Sequence, residues 1–186
     1  MRRFKLQVQT TVDGYMAGPD GEMDWMTVPW SVDVGSHING LMRPVDTIVL
    51  GRKLAEGFIP AWAAGPPGES PEAVDFMNNT PKVVYSNRLT ESPWPNTVVV
   101  GGDLTDVFTD IKAKPGGDMI AYGGSRFVSA LIAGQLLDEI HLFVNPTAIG
   151  AGLPVFADLG MQQRLRLISV HPFACGIMAV QYEPVR

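Results

Sequence analysis

A glycine pair followed by a serine and an arginine has the residue types of a phosphate-binding turn. The five residues concerned are Tyr122, Gly123, Gly124, Ser125 and Arg126. The apolar run at 118–122 predicts a strand, and the apolar positions from 128 to 136 have helical spacing, so the pair lies where a strand turns into a helix. Free N–H groups and the positive dipole end at a helix start attract anions, and glycines let a ligand approach the backbone. The turn suits a phosphate or diphosphate; an ordinary tight turn is the other interpretation.

Two other predicted strands also end in small residues followed by cations. They are followed by Gly51, Arg52 and Lys53 in one case and by Ser86, Asn87 and Arg88 in the other. A further glycine pair, Gly101 and Gly102, follows a fourth strand. Taken singly, each of these strand ends is more often a loop with a solvated charge than a ligand-binding site. Because ligands of α/β sheets gather at the carboxyl ends of parallel strands, the ends together favour a ligand with several phosphates.

Hydrophobic periodicity predicts the elements that must position these loops. Apolar residues alternate from Phe4 to about Thr11, which predicts a first strand. Short buried strands are predicted at 46–50, 82–85, 97–100 and 118–122, and amphipathic helices at 34–42, 104–111 and 125–136. Residues 60–71 are rich in proline and glycine and are predicted to form a long surface loop, with a helix starting at Ser70 and Pro71.

The C-terminal part changes character, because three strand-like segments follow one after another. They cover residues 139–145, 164–170 and 177–183. No helix-length segment separates the last two, so this pair should be antiparallel, whereas strands separated by helices should be parallel. The prediction is one α/β domain over residues 1–186, a three-layer fold. It has a mixed, mostly parallel sheet of about eight strands, helices on both faces and an antiparallel C-terminal strand.

Composition limits the classes of partner. The chain has 186 residues, of which 46% are hydrophobic and 18% charged, with a formal net charge of −5. This acidic balance argues against nucleic acid or an anionic membrane as a general partner. A single cysteine, Cys175, excludes an intrachain disulfide and fits a reducing cytoplasm. No segment approaches the roughly 20 apolar residues of a membrane span, and none has the features of a signal peptide.

Several common site motifs are absent from the sequence. It has neither a Walker loop nor the spaced three-glycine fingerprint of dinucleotide-binding domains. His37, His141 and His171 lack metal-ligand spacing, so no metal is expected. No serine lies in a nucleophile elbow. An anion would have to be held by arginines and backbone amides.

The motifs in their order resemble the dihydrofolate reductase superfamily, and within it bacterial proteins similar to the reductase domain of riboflavin biosynthesis. The resemblance covers nearly the whole chain. It is carried by residues 11–17, 24–25, 46–53, 84–88, 121–126, 137–140, 145–146 and 150–156. It implies a dihydrofolate reductase-like fold and hydride transfer from NADPH.

The resemblance also implies which residues would hold the cofactor. Gly51, Arg52 and Lys53 would lie near its phosphates at a helix start. Ser86 and Arg88, with Asn87 between them, would lie at the adenosine 2′-phosphate. Tyr122, Gly123, Gly124, Ser125 and Arg126 would surround the diphosphate, with a cis peptide expected between the two glycines. Ala17 and Gly18 would lie by the nicotinamide, and the loop at 13–25 that contains them would cover it as a mobile lid.

On the substrate side the resemblance implies a tryptophan and a carboxylate. Trp25 would line the pocket, with core packing as its other interpretation. Asp33 is the nearest acid to the position where folate reductases place a carboxylate that favours substrate protonation. Ser31 fits that spacing about as well, and Asp33 is also interpretable as a first-turn surface acid.

Three functions remain as hypotheses from the sequence. The leading one is an NADPH-dependent reductase of a pterin-like or pyrimidine-like heterocycle. The second is the riboflavin-pathway reductase of a ribosylamino-pyrimidine phosphate, although this chain has no zinc-deaminase motif of the kind commonly fused to it. The third is a non-catalytic NADPH-binding sensor. The resemblance also implies a homodimer paired through a sheet edge or the C-terminal strands.

Overall fold

An eight-stranded sheet forms the centre of the computed structural model, which describes all residues 1–186. In spatial order its strands are β5 (Thr97–Val100), β4 (Lys82–Tyr85), β3 (Val45–Gly51), β6 (Asp118–Ala121), β1 (Phe4–Thr11), β7 (Glu139–Asn145), β10 (Met178–Pro184) and β9 (Leu165–Pro172). Two short strands, β2 (Tyr15–Ala17) and β8 (Leu153–Pro154), form a separate antiparallel pair.

Five helices connect the strands. They are α1 (Val32–Met42), α2 (Arg52–Ala63), α3 (Pro71–Asn79), α4 (Leu104–Ala113) and α5 (Ser125–Ala133). None of them is long and apolar enough to span a lipid bilayer.

Strand direction follows the connections. Every neighbouring pair from β5 to β7 is parallel, because a helix or a long crossover returns the chain to the starting edge. Strand β10 runs antiparallel to both β7 and β9, joined to β9 by a tight turn. The predicted mixed sheet with an antiparallel C-terminal strand is therefore confirmed.

Two hydrophobic clusters hold the helices to opposite faces of the sheet. Phe108 of α4 and Val128 and Leu131 of α5 pack on one face, against alternate residues of β1 and β6. Val34 of α1 and Ala55 of α2 pack on the other face. The alternation of strand side chains explains the division, since Met119 and Ala121 point to the first cluster and Ile120 to the second. The three-layer prediction is confirmed.

Two local predictions are wrong. Helix α2 continues through Pro60 to Ala63, so the predicted loop at 60–71 loses its first four residues. Pro60 lies in the last part of the helix, and burial of Ile59 and capping of the Pro60 carbonyl by the Ala64 N–H support the extra turn. The peptide bond expected to be cis is trans, since no peptide bond is cis. Gly123 and Gly124 have φ of 137° and 86°, which let the chain turn with the lower-energy trans bond.

Candidate active site

The predicted strand ends meet at one edge of the sheet. Strands β1, β3, β4, β5, β6 and β7 are all parallel, so their carboxyl ends lie on the same side. From this edge β6 leads to α5 on one face, whereas β3 leads to α2 on the other. A crevice for a ligand forms where neighbouring strands send the chain to opposite faces.

Helices α2 and α5 begin at this edge, and no side chain caps either of them. Their N-cap residues are Gly51 and Gly124, which have no side chain to accept a first-turn N–H. The N-cap side chains of α3 and α4, Ser70 and Asp103, accept first-turn N–H groups. The N-cap residue of α1, Ser31, forms no such bond, but Asp33 within its first turn accepts the Val34 N–H. Free first-turn N–H groups are therefore present on both helices expected to hold phosphates, and an anion would satisfy them.

Phe127 brings these two helix starts together. A Cβ added at Gly51 would lie 3.1 Å from the Phe127 Cβ and Cγ atoms, and one at Gly124 would lie 3.7 Å from the same Cβ. The Phe127 ring also stacks on Tyr85 at the end of β4, with ring centroids 6.1 Å apart and an interplanar angle of 21°. The ends of β3, β4 and β6 thus share one aromatic contact, and Gly51 has no room for a side chain unless Phe127 shifts.

The glycine turn is covered by the β2–β8 pair. A Cβ at Gly123 would lie 3.5 Å from the Met16 sulfur and 3.6 Å from the Val8 Cγ1. The Ser125 hydroxyl donates to the Pro154 carbonyl at 2.8 Å. Ala17 is buried. The segment after β1 therefore lies directly against the turn.

Gly18 begins a tight loop beside this pair. Its N–H donates to the Glu22 carbonyl at 2.8 Å, and a Cβ at Gly18 would overlap the Glu22 carboxylate. The Glu22 carboxylate also accepts the Asp20 N–H at 2.9 Å. A side chain at position 18 would therefore displace the Glu22 carboxylate from this loop.

The predicted cationic side chains differ in whether an acidic side chain already pairs with them. Arg52 pairs with Glu56 one turn further along α2. The Arg126 side chain is 89% exposed and extends towards Asp158, 3.9 Å away. Lys53 and Arg88 are exposed and form no ion pair. Arg88 is thus the uncommitted arginine at the end of β4.

Ser86 and Asn87 shape the loop after β4. The buried Ser86 hydroxyl accepts the N–H groups of Arg88 at 3.1 Å and Leu89 at 3.0 Å, which leaves its hydrogen free to donate. Asn87 uses both ends of its amide within the protein, since it accepts the Gly102 N–H at 2.7 Å and donates to the Tyr85 hydroxyl at 3.2 Å. The structure thus places Ser86 and Arg88 at the edge and gives Asn87 a bracing role between β4 and β5.

Tyr122 points away from the helix starts. Its ring stacks on Phe58 with centroids 5.3 Å apart, and its hydroxyl lies 3.4 Å from the Met42 sulfur. Burial raises the pKa of Tyr122 far above its ordinary value, because the phenolate would lose its hydration. Its side chain is neutral and packs between α1 and α2.

Asp33 lies at the start of α1 and is fully exposed. One carboxylate oxygen accepts the Ser31 hydroxyl and the Val34 N–H, and the other accepts the Ala174 N–H at 3.0 Å. The Ser31 hydrogen bond, followed by that from Ala174, holds the pKa of Asp33 below its ordinary value. Ser31, the alternative at this position, thus serves Asp33, and the pair ties α1 to the β9–β10 turn.

Trp25 is 6% exposed, and its indole N–H has no hydrogen-bond partner. A buried donor left without an acceptor costs about 1–3 kcal/mol, so most are paired in folded proteins. Trp25 and Asp33 make no hydrogen bond with each other.

Gln9 and Asn145 were missed by the sequence reasoning. Both lie near the carboxyl ends of neighbouring strands, where Asn145 Nδ2 donates to Gln9 Oε1 at 3.0 Å. The available signal was a polar residue at a buried strand position, since Asn145 is 1% exposed. Asp13 was named only as the first residue of the lid. It joins that lid to the loop after β7 by accepting the N–H groups of Ile149 and Gly150.

Comparison with known proteins agrees with this architecture. The model of one family, the RibD C-terminal domain, matches residues 4–179. A solved structure from Shewanella sp. PV-4, provisionally named a riboflavin biosynthesis protein, is 25% identical, with a TM-score of 0.79 and 99% of both chains covered.

Two more distant structures share the fold. A deaminase/5-amino-6-(5-phosphoribosylamino)uracil reductase from Thermotoga maritima is 15% identical with a TM-score of 0.71; the match covers 99% of this chain and 57% of that one. Dihydrofolate reductase from Enterococcus faecalis, complexed with NADP(H), is 15% identical with a TM-score of 0.65, covering 99% and 97%. The dihydrofolate reductase-like fold predicted from the sequence is confirmed.

Proposed function

The chain belongs to the RibD C-terminal domain family, and on that premise we propose that it is an NADPH-dependent reductase of a small heterocycle, pterin-like or pyrimidine-like. One observation carries the proposal. Helices α2 and α5, whose N-cap residues are glycines, begin next to each other at the carboxyl edge of the sheet, where Phe127 contacts both. The cradle fits the phosphates of a dinucleotide, because its free N–H groups need acceptors and its glycines leave room for them.

The proposed cofactor contacts follow from that cradle. The N–H groups at the start of α5, with Gly123 and Ser125, would hold the diphosphate, and those of α2 after Gly51 would support it. The Ser86 hydroxyl and Arg88 would hold the 2′-phosphate. Arg52, Lys53 and Arg126 would add positive charge around it. Met16, Ala17 and Gly18 would flank the nicotinamide.

NADPH, when bound, supplies the hydride, and the protein supplies orientation and electrostatics. Trp25 would line the substrate pocket and offer its unpaired indole N–H. Asp33 is held ionised by its three hydrogen bonds. We therefore assign it a fixed negative charge that favours a protonated substrate, instead of the role of proton donor.

The riboflavin-pathway reaction is the second candidate, favoured by the family match and by the Shewanella structure. Its substrate carries a phosphate of its own and would need a cation on the substrate side. The Asp33 region offers an acid instead, and the cations nearest the sheet ends are those assigned above to the cofactor. This distribution of charge favours a heterocycle without a phosphate.

A second copy of this chain is the proposed protein partner. Leu167, Ile168 and Val170 on edge strand β9 are 54%, 42% and 46% exposed, and an unpaired apolar strand is prone to pair with another chain. Ile168→Lys should convert a dimer to a monomer in light scattering while NADPH affinity is kept. A monomeric wild-type protein at micromolar concentration would refute the dimer.

The reducing compartment that suits a lone free cysteine leads us to propose a cytoplasmic protein.

The decisive experiment compares two nucleotides and then adds substrates. NADPH should bind at least tenfold more tightly than NADH in a fluorescence titration, because the 2′-phosphate would meet Ser86 and Arg88. Equal affinities would refute the cofactor assignment. A panel of oxidised pteridines and pyrimidines should then cause loss of the near-ultraviolet absorbance of NADPH. Tight NADPH binding without turnover on any member would instead support the non-catalytic sensor.

A further inference from the structure

Gln9 has a buried donor with no acceptor. Its side-chain Nε2 is inaccessible to solvent and makes no hydrogen bond. The only other buried side-chain nitrogen or oxygen without a partner is the indole nitrogen of Trp25. Both unpaired groups are N–H donors, so what the protein lacks at each of these positions is an acceptor.

The orientation of the Gln9 amide is dictated by Asn145. Asn145 Nδ2 donates its two hydrogens among three acceptors, Gln9 Oε1 at 3.0 Å, the Phe143 carbonyl at 3.0 Å and, most weakly, the Thr10 carbonyl at 3.3 Å. Turning the Gln9 amide over would place its NH₂ group against the Asn145 NH₂ group, donor against donor. Gln9 therefore presents only hydrogen-bond donors to whatever lies beyond Nε2.

This donor lies beside the proposed site. The backbone of Gln9 follows Val8, whose side chain points to the opposite sheet face and lies 3.6 Å from the Cβ position of Gly123. The Gln9 side chain shares a sheet face with Phe143, whose ring stacks on Phe173 at 6.3 Å. Phe173 begins the β9–β10 turn that holds Asp33 through Ala174. The Gln9 side chain thus lies on the sheet face against which α1 packs, the region assigned to the substrate.

We infer that Gln9 is a specificity-determining residue whose Nε2, closed to solvent in the free protein, is uncovered by a local side-chain movement and donates to a carbonyl oxygen of the substrate, so that the site selects an oxo-substituted heterocycle over its amino-substituted analogue. The inference rests on the proposed function for the location of the substrate. Its physical basis is that a site built to donate a hydrogen bond rejects a ligand that presents another donor there. The Asp33 carboxylate has limited capacity to accept from substrate amino groups, because Ser31, Val34 and Ala174 fill three of its roughly four acceptor sites.

The test uses two probes of equal size, pteridine-2,4-dione and pteridine-2,4-diamine. The wild-type protein should bind the dione at least about tenfold more tightly, with or without NADPH, because the diamine places amino groups where the dione has oxygens. Gln9→Leu should remove this preference, and Gln9→Glu should invert it, since a carboxylate keeps the oxygen facing Asn145 and replaces the donor by an acceptor. Gln162→Leu makes the same chemical change at an exposed loop residue and should leave the preference intact.

The melting temperature distinguishes a role of Gln9 in substrate recognition from a role in supporting the fold. If Nε2 is unpaired in the free protein, Gln9→Leu should melt at the wild-type temperature or above it, and Asn145 keeps two backbone acceptors. A lower melting temperature with an unchanged preference would show that Gln9 serves the fold through a buried water, and would overturn the inference. The inference would also be overturned if the wild-type protein bound the dione and the diamine equally well, or bound neither of them. NADPH affinity should be the same in all variants, so a failure of the cofactor assignment appears independently.

Discussion

Replacing Gly124 by alanine tests the anion cradle most directly. Gly124 has φ of 86°, and an alanine there costs roughly 1–2 kcal/mol in the left-handed region. The added methyl group would lie 3.7 Å from the Phe127 Cβ and 4.0 Å from the Leu54 Cβ, which are ordinary contacts. Backbone strain is therefore the whole cost to the fold, and the melting temperature should fall by about 2–8 °C.

The same substitution should weaken NADPH binding by more free energy than it removes from the stability of the fold. The methyl group lies at the N-terminus of α5, where the diphosphate would approach the backbone. Loss of one hydrogen bond to a charged group is worth about 1.5–3 kcal/mol, so the Kd for NADPH should rise roughly 10- to 100-fold. Isothermal titration calorimetry measures the Kd, and thermal melting measures the stability of the same sample.

Gly68→Ala is the matched control for this experiment. Gly68 has φ of 88°, and an added Cβ would have no atom within 4 Å. It lies in the loop after α2, about 18 Å along that helix from the Gly51 end. The control should lose the same stability and keep wild-type NADPH affinity. Equal NADPH affinity in the two variants would refute the cradle.

The remaining predictions concern single charged or titratable groups. Arg88→Gln should weaken NADPH binding roughly tenfold and leave NADH binding unchanged; a parallel loss for both nucleotides would contradict a 2′-phosphate contact. Asp33→Asn should lower kcat less than about tenfold, because a proton donor would cost about 10²–10⁴-fold and Asp33 is held ionised. The pKa of His37 is lowered by burial and then by His171 and His141, so the unfolded chain binds its proton more readily. Stability should therefore fall as the pH drops below about 6.5, and His37→Phe should flatten the melting temperature between pH 7.5 and 5.5, whereas an unchanged slope would exclude His37 as the cause.

Much of the fold could be predicted from the sequence because its signals are local. Alternation in β1 and helical spacing in α4 and α5 depend on neighbours within one element, and the order of helices and strands then dictates parallel pairing. The start of the loop predicted at 60–71 was wrong, since Pro60 is a local stop signal, yet burial of Ile59 sustains the helix to Ala63. The β2–β8 pair gave no signal, because its strands are short and more than 130 residues apart.

The same division holds for the candidate site. The sequence by itself determined the glycine turn and the cations after β3, β4 and β6, because small residues and arginines at predicted strand ends can be recognised from the sequence alone. Only the tertiary structure decided which of these groups are free. Arg52 pairs with Glu56, Asp33 is held by Ala174 from 141 residues away, and Gln9 keeps an unpaired donor because Asn145 orients it. Whether a polar group can bind a ligand depends on the partners it already has in the folded chain, and those partners come mostly from other elements.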